Sequence, residues 1–241
     1  MRAETRHQLK QDKFSQATIG VAGATVDWTV EHRSKLVLGA IIVLAVVLLG
    51  VGGWYYFTQQ DQKASVDLGK ATRTLETPLR PAGSPPQADF PMFASANERA
   101  TEARKQFQAV VDNYPHTHSA DVAHYFIGIT AAQLGDTSAA ERELKTVAGQ
   151  RNEDLASLAN LALAAVYREA NRSKDAIAIY QQLANKPTRA VGKVTAQLAL
   201  AATYQADQQP LEAKRVYEQI QKENPSSEAS QLASQRLQEI K

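Results

Sequence analysis

The chain has 241 residues, 44% of them hydrophobic with alanine and leucine foremost, enough apolar material for a helical core and a composition that favours helix over sheet. A formal net charge of only +2 supplies no strong basic field for nucleic acid. The absence of cysteine excludes disulfides and thiolate chemistry while leaving the compartment open. Residues 1–35 carry six basic and four acidic side chains, too polar and too few for a core. They read as a cytoplasmic tail, with helical character near Leu9 to Phe14.

From Leu36 to Gln60 no residue is charged. The apolar heart of this run, residues 36–57, spans 22 residues. As a helix it rises about 33 Å, enough for a hydrocarbon core of about 30 Å. Trp54, Tyr55 and Tyr56 stand at its far end, where amphipathic rings prefer the headgroup layer, and Arg33 and Lys35 flank the near end. A cleaved signal peptide fits poorly: the run is too long, a long segment precedes it and no small-x-small site follows. A buried core helix fits no better, because the run is apolar on every face. Arg2, Arg6, Lys10, Lys13, Arg33 and Lys35 precede the span, whereas only Lys63 and Lys70 follow closely. That bias places the N-terminus in the cytoplasm and the C-terminal part across the membrane, which is the periplasm for a bacterial inner-membrane protein.

Residues 61–76 have helical composition and continue outward from the span. Five of the nine prolines then fall between Thr77 and Pro91 (Pro78, Pro81, Pro85, Pro86 and Pro91), which predicts an extended loop. Beyond it the chain repeats. An alanine is followed four residues on by a large apolar residue and three later by another: Ala103/Phe107/Val110, Ala140/Leu144/Val147, Ala176/Tyr180/Leu183 and Ala213/Tyr217/Ile220, with alanines 37, 36 and 37 apart. Twelve residues before the last three alanines stand Gly128, Ala164 and Ala201; nine before them, Ala131, Tyr167 and Tyr204. Ile127, Leu163 and Leu200 immediately precede the small residues. Pro115, Pro187 and Pro225 follow three of the copies.

This double spacing over residues 98–225 resembles the tetratricopeptide repeat, in which each unit is a pair of antiparallel helices. The expected fold class is therefore all-α: one N-terminal transmembrane helix followed by an α-solenoid of helix pairs. The period exceeds 34 by two or three residues, and the excess is expected between units, as in the stretch from Gly149 to Ser157. Small residues at 128, 164 and 201 and at 103, 140, 176 and 213 let paired backbones close, while Phe107, Leu144, Tyr180 and Tyr217 fill the space between units. One unit cannot bury these faces alone, so units must stack. Ser138 with Glu141 predicts a capping box, Ser173 a cap, and Pro210 a helix start. A polar helix from Ser227 to Lys241, with Ala229, Leu232, Ala233 and Leu237 as its apolar edge, suits a terminal cap. The segment 61–76, returning after the proline loop, supplies the missing first helix of the first unit. Four segments result: a tail (1–35), a transmembrane helix (36–57), a helical stem with the Pro-rich loop (58–93) and the repeat domain with its capping helix (94–241).

The functional surface of such an array is its concave face, lined by first helices. The positions expected there are Val122, Tyr125, Ile129 and Ala132; Leu158, Leu161, Ala165 and Arg168; and Thr195, Leu198, Ala202 and Gln205. They are mainly apolar and lack the Lys/Asn-rich clamp for C-terminal carboxylates. Such a groove suits an unfolded segment or an amphipathic helix of a protein partner. The equal count of 17 basic and 17 acidic residues in 94–241 argues against RNA. His116, His118, Asp121 and His124 have ligand chemistry for a divalent ion, but their spacing reads equally as a histidine-bearing turn, and neither a metal nor any other cofactor is expected. No Ser–His–Asp set, phosphate loop or carboxylate pair stands out, so the chain is expected to be a binding scaffold and not an enzyme. The layout of short tail, single span and repeat domain also resembles the ancillary subunit of the bacterial Sec translocon. That resemblance implies an inner-membrane adaptor or holdase whose partners are the translocon and periplasmic chaperones. A structural assembly factor of a pilus or cell-wall complex is the alternative.

Overall fold

The computed structural model describes residues 33–81 and 92–240. The expected tail helix near Leu9 and most of the Pro-rich loop lie outside the described residues. The chain divides into two compact units, Met1–Thr58 and Gln59–Lys241. All regular structure among the described residues is helical: α1 (Arg33–Glu76), α2 (Ala96–Asn113), α3 (His118–Gln133), α4 (Thr137–Ala148), α5 (Glu153–Glu169), α6 (Ser173–Asn185), α7 (Lys193–Ala206), α8 (Pro210–Glu223) and α9 (Glu228–Glu239).

The described part of the first unit is the N-terminal stretch of α1. Its large apolar side chains between Val37 and Phe57 are 52–77% exposed, and consecutive residues such as Ile41 to Leu44 point in every direction around the axis. None of the apolar window is buried against protein. A helix that is apolar all round and uncovered by its own fold requires an apolar surrounding, and this one is long enough to cross a membrane.

In the second unit the pattern changes to one-sided. Ala64 and Ala71 are fully buried, with Leu68 and Leu75 between and beyond them, so spacings of four, three and four set one stripe toward the core. This stripe packs with Ala103, Phe107 and Val110 of α2 and with Ala123 and Ile127 of α3. Polar contacts hold the register: Asp61 Oδ1 accepts from the Ser119 amide and hydroxyl at 3.2 and 3.0 Å, and the Tyr114 hydroxyl donates to Asp67 at 3.0 Å. Thr74 donates to Gln106 at 2.8 Å. The end of α1 is thus the first helix of the first repeat, as the sequence pattern predicts. The proline-rich connection begins and ends in a parallel bridge between Leu79 and Phe93, where the Arg80 amide donates to the Phe93 carbonyl at 2.9 Å.

Pairs α3/α4, α5/α6 and α7/α8 form the next three repeats, and each helix packs against its successor through to α9. The signature residues carry the seam: Phe107, Leu144, Tyr180 and Tyr217 and all four signature alanines are at most 2% exposed. Gly128 shows why a small residue stands there, since a Cβ at this position would lie 2.7 Å from Leu144 Cγ. Within each repeat the turn is three residues long and repeats one conformation. Gly135, Asn171 and Gln208 take φ of 78°, 58° and 58°. The following amides of Asp136, Arg172 and Gln209 reach back to the carbonyls of Ala131, Tyr167 and Tyr204 at 2.9, 2.8 and 2.9 Å. This is the Schellman arrangement, which satisfies the last carbonyls of the first helix and turns the chain into the second. The connections between repeats vary, and the longest, residues 186–192, tucks Val191 fully into the core.

Three local expectations need correction. The cap of α4 is Asp136, whose carboxylate accepts from the Ala139 amide at 3.0 Å; Ser138 lies inside the helix, and Glu141 instead pairs with Lys145 and Arg172. The cap position of α6 is Arg172, which follows the left-handed Asn171 and makes no side-chain capping hydrogen bond, so Ser173 is the first helical residue and not the cap. On α9, Ala233 is buried and Ala229 and Leu237 rest on the core, but Leu232 is 39% exposed.

Candidate protein-binding face

First helices α3 and α5, and likewise α7 and α9, touch each other directly; α5 and α7 do not come as close, nor do the second helices of successive repeats. Stacked helix pairs present a concave surface, and the first helices are the side expected to line it. Positions spaced three, four and three residues apart share one helical face. On α3 these are Val122, Tyr125, Ile129 and Ala132; on α5, Leu158, Leu161, Ala165 and Arg168; on α7, Thr195, Leu198, Ala202 and Gln205. All are half-buried except Thr195, which is exposed. Val122, Tyr125, Ala132, Leu158, Leu161 and Leu198 rest with one side on the core and offer the other outward. Ile129, Ala165 and Ala202 are half-buried on the same face outside that core-contacting set.

The Tyr125 ring is held by an aromatic chain that the sequence pattern does not reveal. Phe107 of α2 stacks on Phe126 at 5.0 Å between centroids, and Phe126 meets Tyr125 edge-on at 5.3 Å. Such offset and edge contacts fix ring orientation, so Tyr125 stands as a rigid anchor on the inner face. Burial pushes its phenol above the ordinary tyrosine range. Arg168 is the only charged residue among the twelve face positions.

The structure does not bring the histidines together. His116 sits exposed in a turn with φ of 70°, and His118 is exposed in the first turn of α3. Asp121 accepts from Gln150 Nε2 at 2.7 Å, and His124 Nδ1 lies 2.8 Å from Glu143 Oε2. Among the described residues no three potential ligands are grouped.

A cleft of about 570 Å³ between α6, α7 and α8 was not anticipated from sequence. Its wall includes Gln197, 2% exposed, whose amide donates to Glu223 at 3.3 Å. Glu223 also accepts from Lys193 at 2.8 Å and from Gln219 at 2.9 Å, and these donors lower its carboxyl to a pKa of about 2. One signal was available: His124, Asn160 and Gln197 recur at spacings of 36 and 37, a polar residue at one repeat position. His124 meets Glu143 and Gln197 meets Glu223, on different turns of their second helices, which spacing cannot show.

A family model described as a tetratricopeptide repeat-like domain matches residues 28–187, and a tetratricopeptide repeat model matches residues 195–227. No curated protein matches the chain. The first match covers well over half of the sequence and reaches from just before the apolar span through the end of the third helix pair. Arrays of such pairs are scaffolds that bind other proteins. Repeat spacing, seam packing and both matched models agree that this chain belongs to the tetratricopeptide repeat-like domain family.

Proposed function

We propose that this protein is a membrane-anchored, non-catalytic scaffold. Its inner helical face holds segments of other proteins on the extracytoplasmic side, as an adaptor or holdase for chains arriving at a translocation channel. One observation carries the reading: half-buried apolar side chains recur at the same positions of three successive first helices, with one side already seated on the core. A partner that covers the other side gains apolar burial at little ordering cost to the scaffold. The excess of basic residues before the span supports the orientation. The likeness in layout to the ancillary translocon subunit supports the choice of partners.

A photo-crosslinking residue replacing Leu161 in the full chain, activated in the membranes of its own cells, tests the reading. Channel subunits and periplasmic chaperones are the expected adducts. Pilus or wall-synthesis proteins would instead make it an assembly factor of the cell envelope. With the crosslinker moved to position 125, Leu161→Glu should abolish adducts and Leu161→Ala should only weaken them, because a carboxylate is costlier than lost area in a site the partner dries. Unchanged adducts in a folded Leu161→Glu protein would remove the inner face as the site. A reporter fused after Lys241 should report an extracytoplasmic position; a cytoplasmic signal would overturn the orientation.

A further inference from the structure

The chemistry of the inner face says more about what it holds. Four basic side chains within α2 to α9 are half-buried: Arg99, Arg104, Arg168 and Lys193. Three have partners: Arg99 donates to the Thr77 carbonyl at 2.9 Å, Arg104 to Asp136 at 3.2 Å and Lys193 to Glu223 at 2.8 Å. The Arg168 guanidinium has no hydrogen bond or ion pair among the described residues; only its backbone carbonyl accepts, from the Asn171 amide at 3.1 Å. Its neighbour Glu169 is exposed and does not pair with it, and the two act in opposite senses on the buried Tyr180 phenol. A guanidinium stays charged at all ordinary pH, so covering it with an apolar partner and no counter-charge is costly.

No acidic residue occupies the twelve face positions, and the equivalents of Arg168 in the flanking repeats are the neutral Ala132 and Gln205. The face is thus apolar with one cationic end on its central helix. Leu158, Leu161 and Arg168 lie on one face of α5, and Arg168 is about 10 Å along the axis from Leu161. We propose that the protein segment held on this face carries a carboxylate beside its apolar residues, received by Arg168. The proposal rests on the inner face being the docking surface. The carboxylate stands about 10 Å from the apolar anchor, which is about seven residues along a helix or three along an extended chain. Because the flanking repeats offer no second cation at this position, the pair also sets the direction in which the segment lies.

The test uses the full chain in detergent, applied to surface-tethered sixteen-residue peptides so that the peptides cannot partition into micelles. Each peptide has leucine at positions 1, 4 and 8 and glutamate, glutamine or lysine at position 11. The glutamate peptide should retain the protein about tenfold better than the glutamine one, as expected for a charge-assisted hydrogen bond. Arg168→Gln should abolish that preference, and Arg168→Glu should turn it toward the lysine peptide, with circular dichroism confirming the fold of both. Equal retention on all three peptides by the parent protein, or a glutamate preference that survives Arg168→Gln, would overturn the carboxylate proposal. Retention unaffected by Leu161→Glu would overturn the inner face itself, a separate failure.

Discussion

Helices α3, α5 and α7 each carry two adjacent faces with different surroundings. The seam face, with Ile127, Leu163 and Leu200 beside Gly128, Ala164 and Ala201, is closed against the paired helix and the next repeat. The inner face, one step round the same cylinders, also holds mainly apolar residues, yet these stay half-buried. Hydrophobicity alone does not separate them; what does is whether another element of the chain arrives to cover them. Seam residues should therefore govern stability, and inner-face residues should govern binding with little effect on stability.

The sharpest way to break this distinction is Phe107→Ala. Phe107 is 0% exposed and stacked on Phe126, so truncation should cost about 3–5 kcal/mol and lower the melting temperature of the repeat unit by roughly 10 °C. A melt within a degree of the parent would show that the seam is not where stability resides. Gly128→Ala comes next, at about 1–3 kcal/mol, because the new methyl group meets Leu144. Combining it with Leu144→Ala should cost less than the sum of the two single changes, and a denaturant-melt cycle reads that coupling directly.

On the inner face, Leu161→Ala should change stability by only about 1 kcal/mol, since the side chain is half-buried. The same substitution should visibly weaken crosslinking to partners; loss of stability with unchanged crosslinking would invert the two roles. At the turn beside both faces, Gln208→Gly should raise stability by up to about 1 kcal/mol. It removes a side chain from φ of 58°, and the gain is reduced by the greater freedom of glycine when unfolded. Gly135→Ala should do the opposite by conformational strain alone, because no atom lies within 4 Å of the added methyl.

The smallest effect belongs to the outer cleft. Glu223 has a folded pKa of about 2, below the ordinary glutamate range. A depressed carboxyl stabilises the folded state above its unfolded pKa, and that contribution fades as pH falls from about 4.5 to about 2. Lys193→Met should move the titration of Glu223 upward, followed by carboxyl carbon chemical shifts in NMR. An unmoved titration would assign the depression to Gln219 and Gln197 instead.

Much of this was legible in residue order. The alanine–aromatic spacing located α2, α4, α6 and α8, and every signature residue lies in the seam. The reading of residues 61–76 as the absent first helix rested only on composition and on the first unit showing no first helix of its own, and packing of Ala64 and Ala71 agrees with it. Caps were less legible. Ser138 and Ser173 satisfy the local rule, but the cap positions are Asp136 and Arg172, each directly after a left-handed turn residue, because the Schellman turn sets where the first helix ends. The histidines near Thr117 look like a ligand set in sequence, yet His124 turns to Glu143 on the next helix while His116 faces solvent.

Sequence by itself determined the helical class, the pairing of helices and the apolar span, because these follow from one-dimensional spacings: a 22-residue uncharged run and small and large residues at fixed intervals. It also identified which positions share one face of each first helix, since helical periodicity alone decides that. Only the tertiary structure decided what each of those side chains meets. The Phe107–Phe126–Tyr125 stack joins residues 18 positions apart across two helices. Arg99, Arg104 and Lys193 find partners 22, 32 and 30 residues away while Arg168 does not. A charge is paired or unpaired according to distances of a few ångströms between elements, and those distances are set by how the repeats stack, not by spacing along the chain.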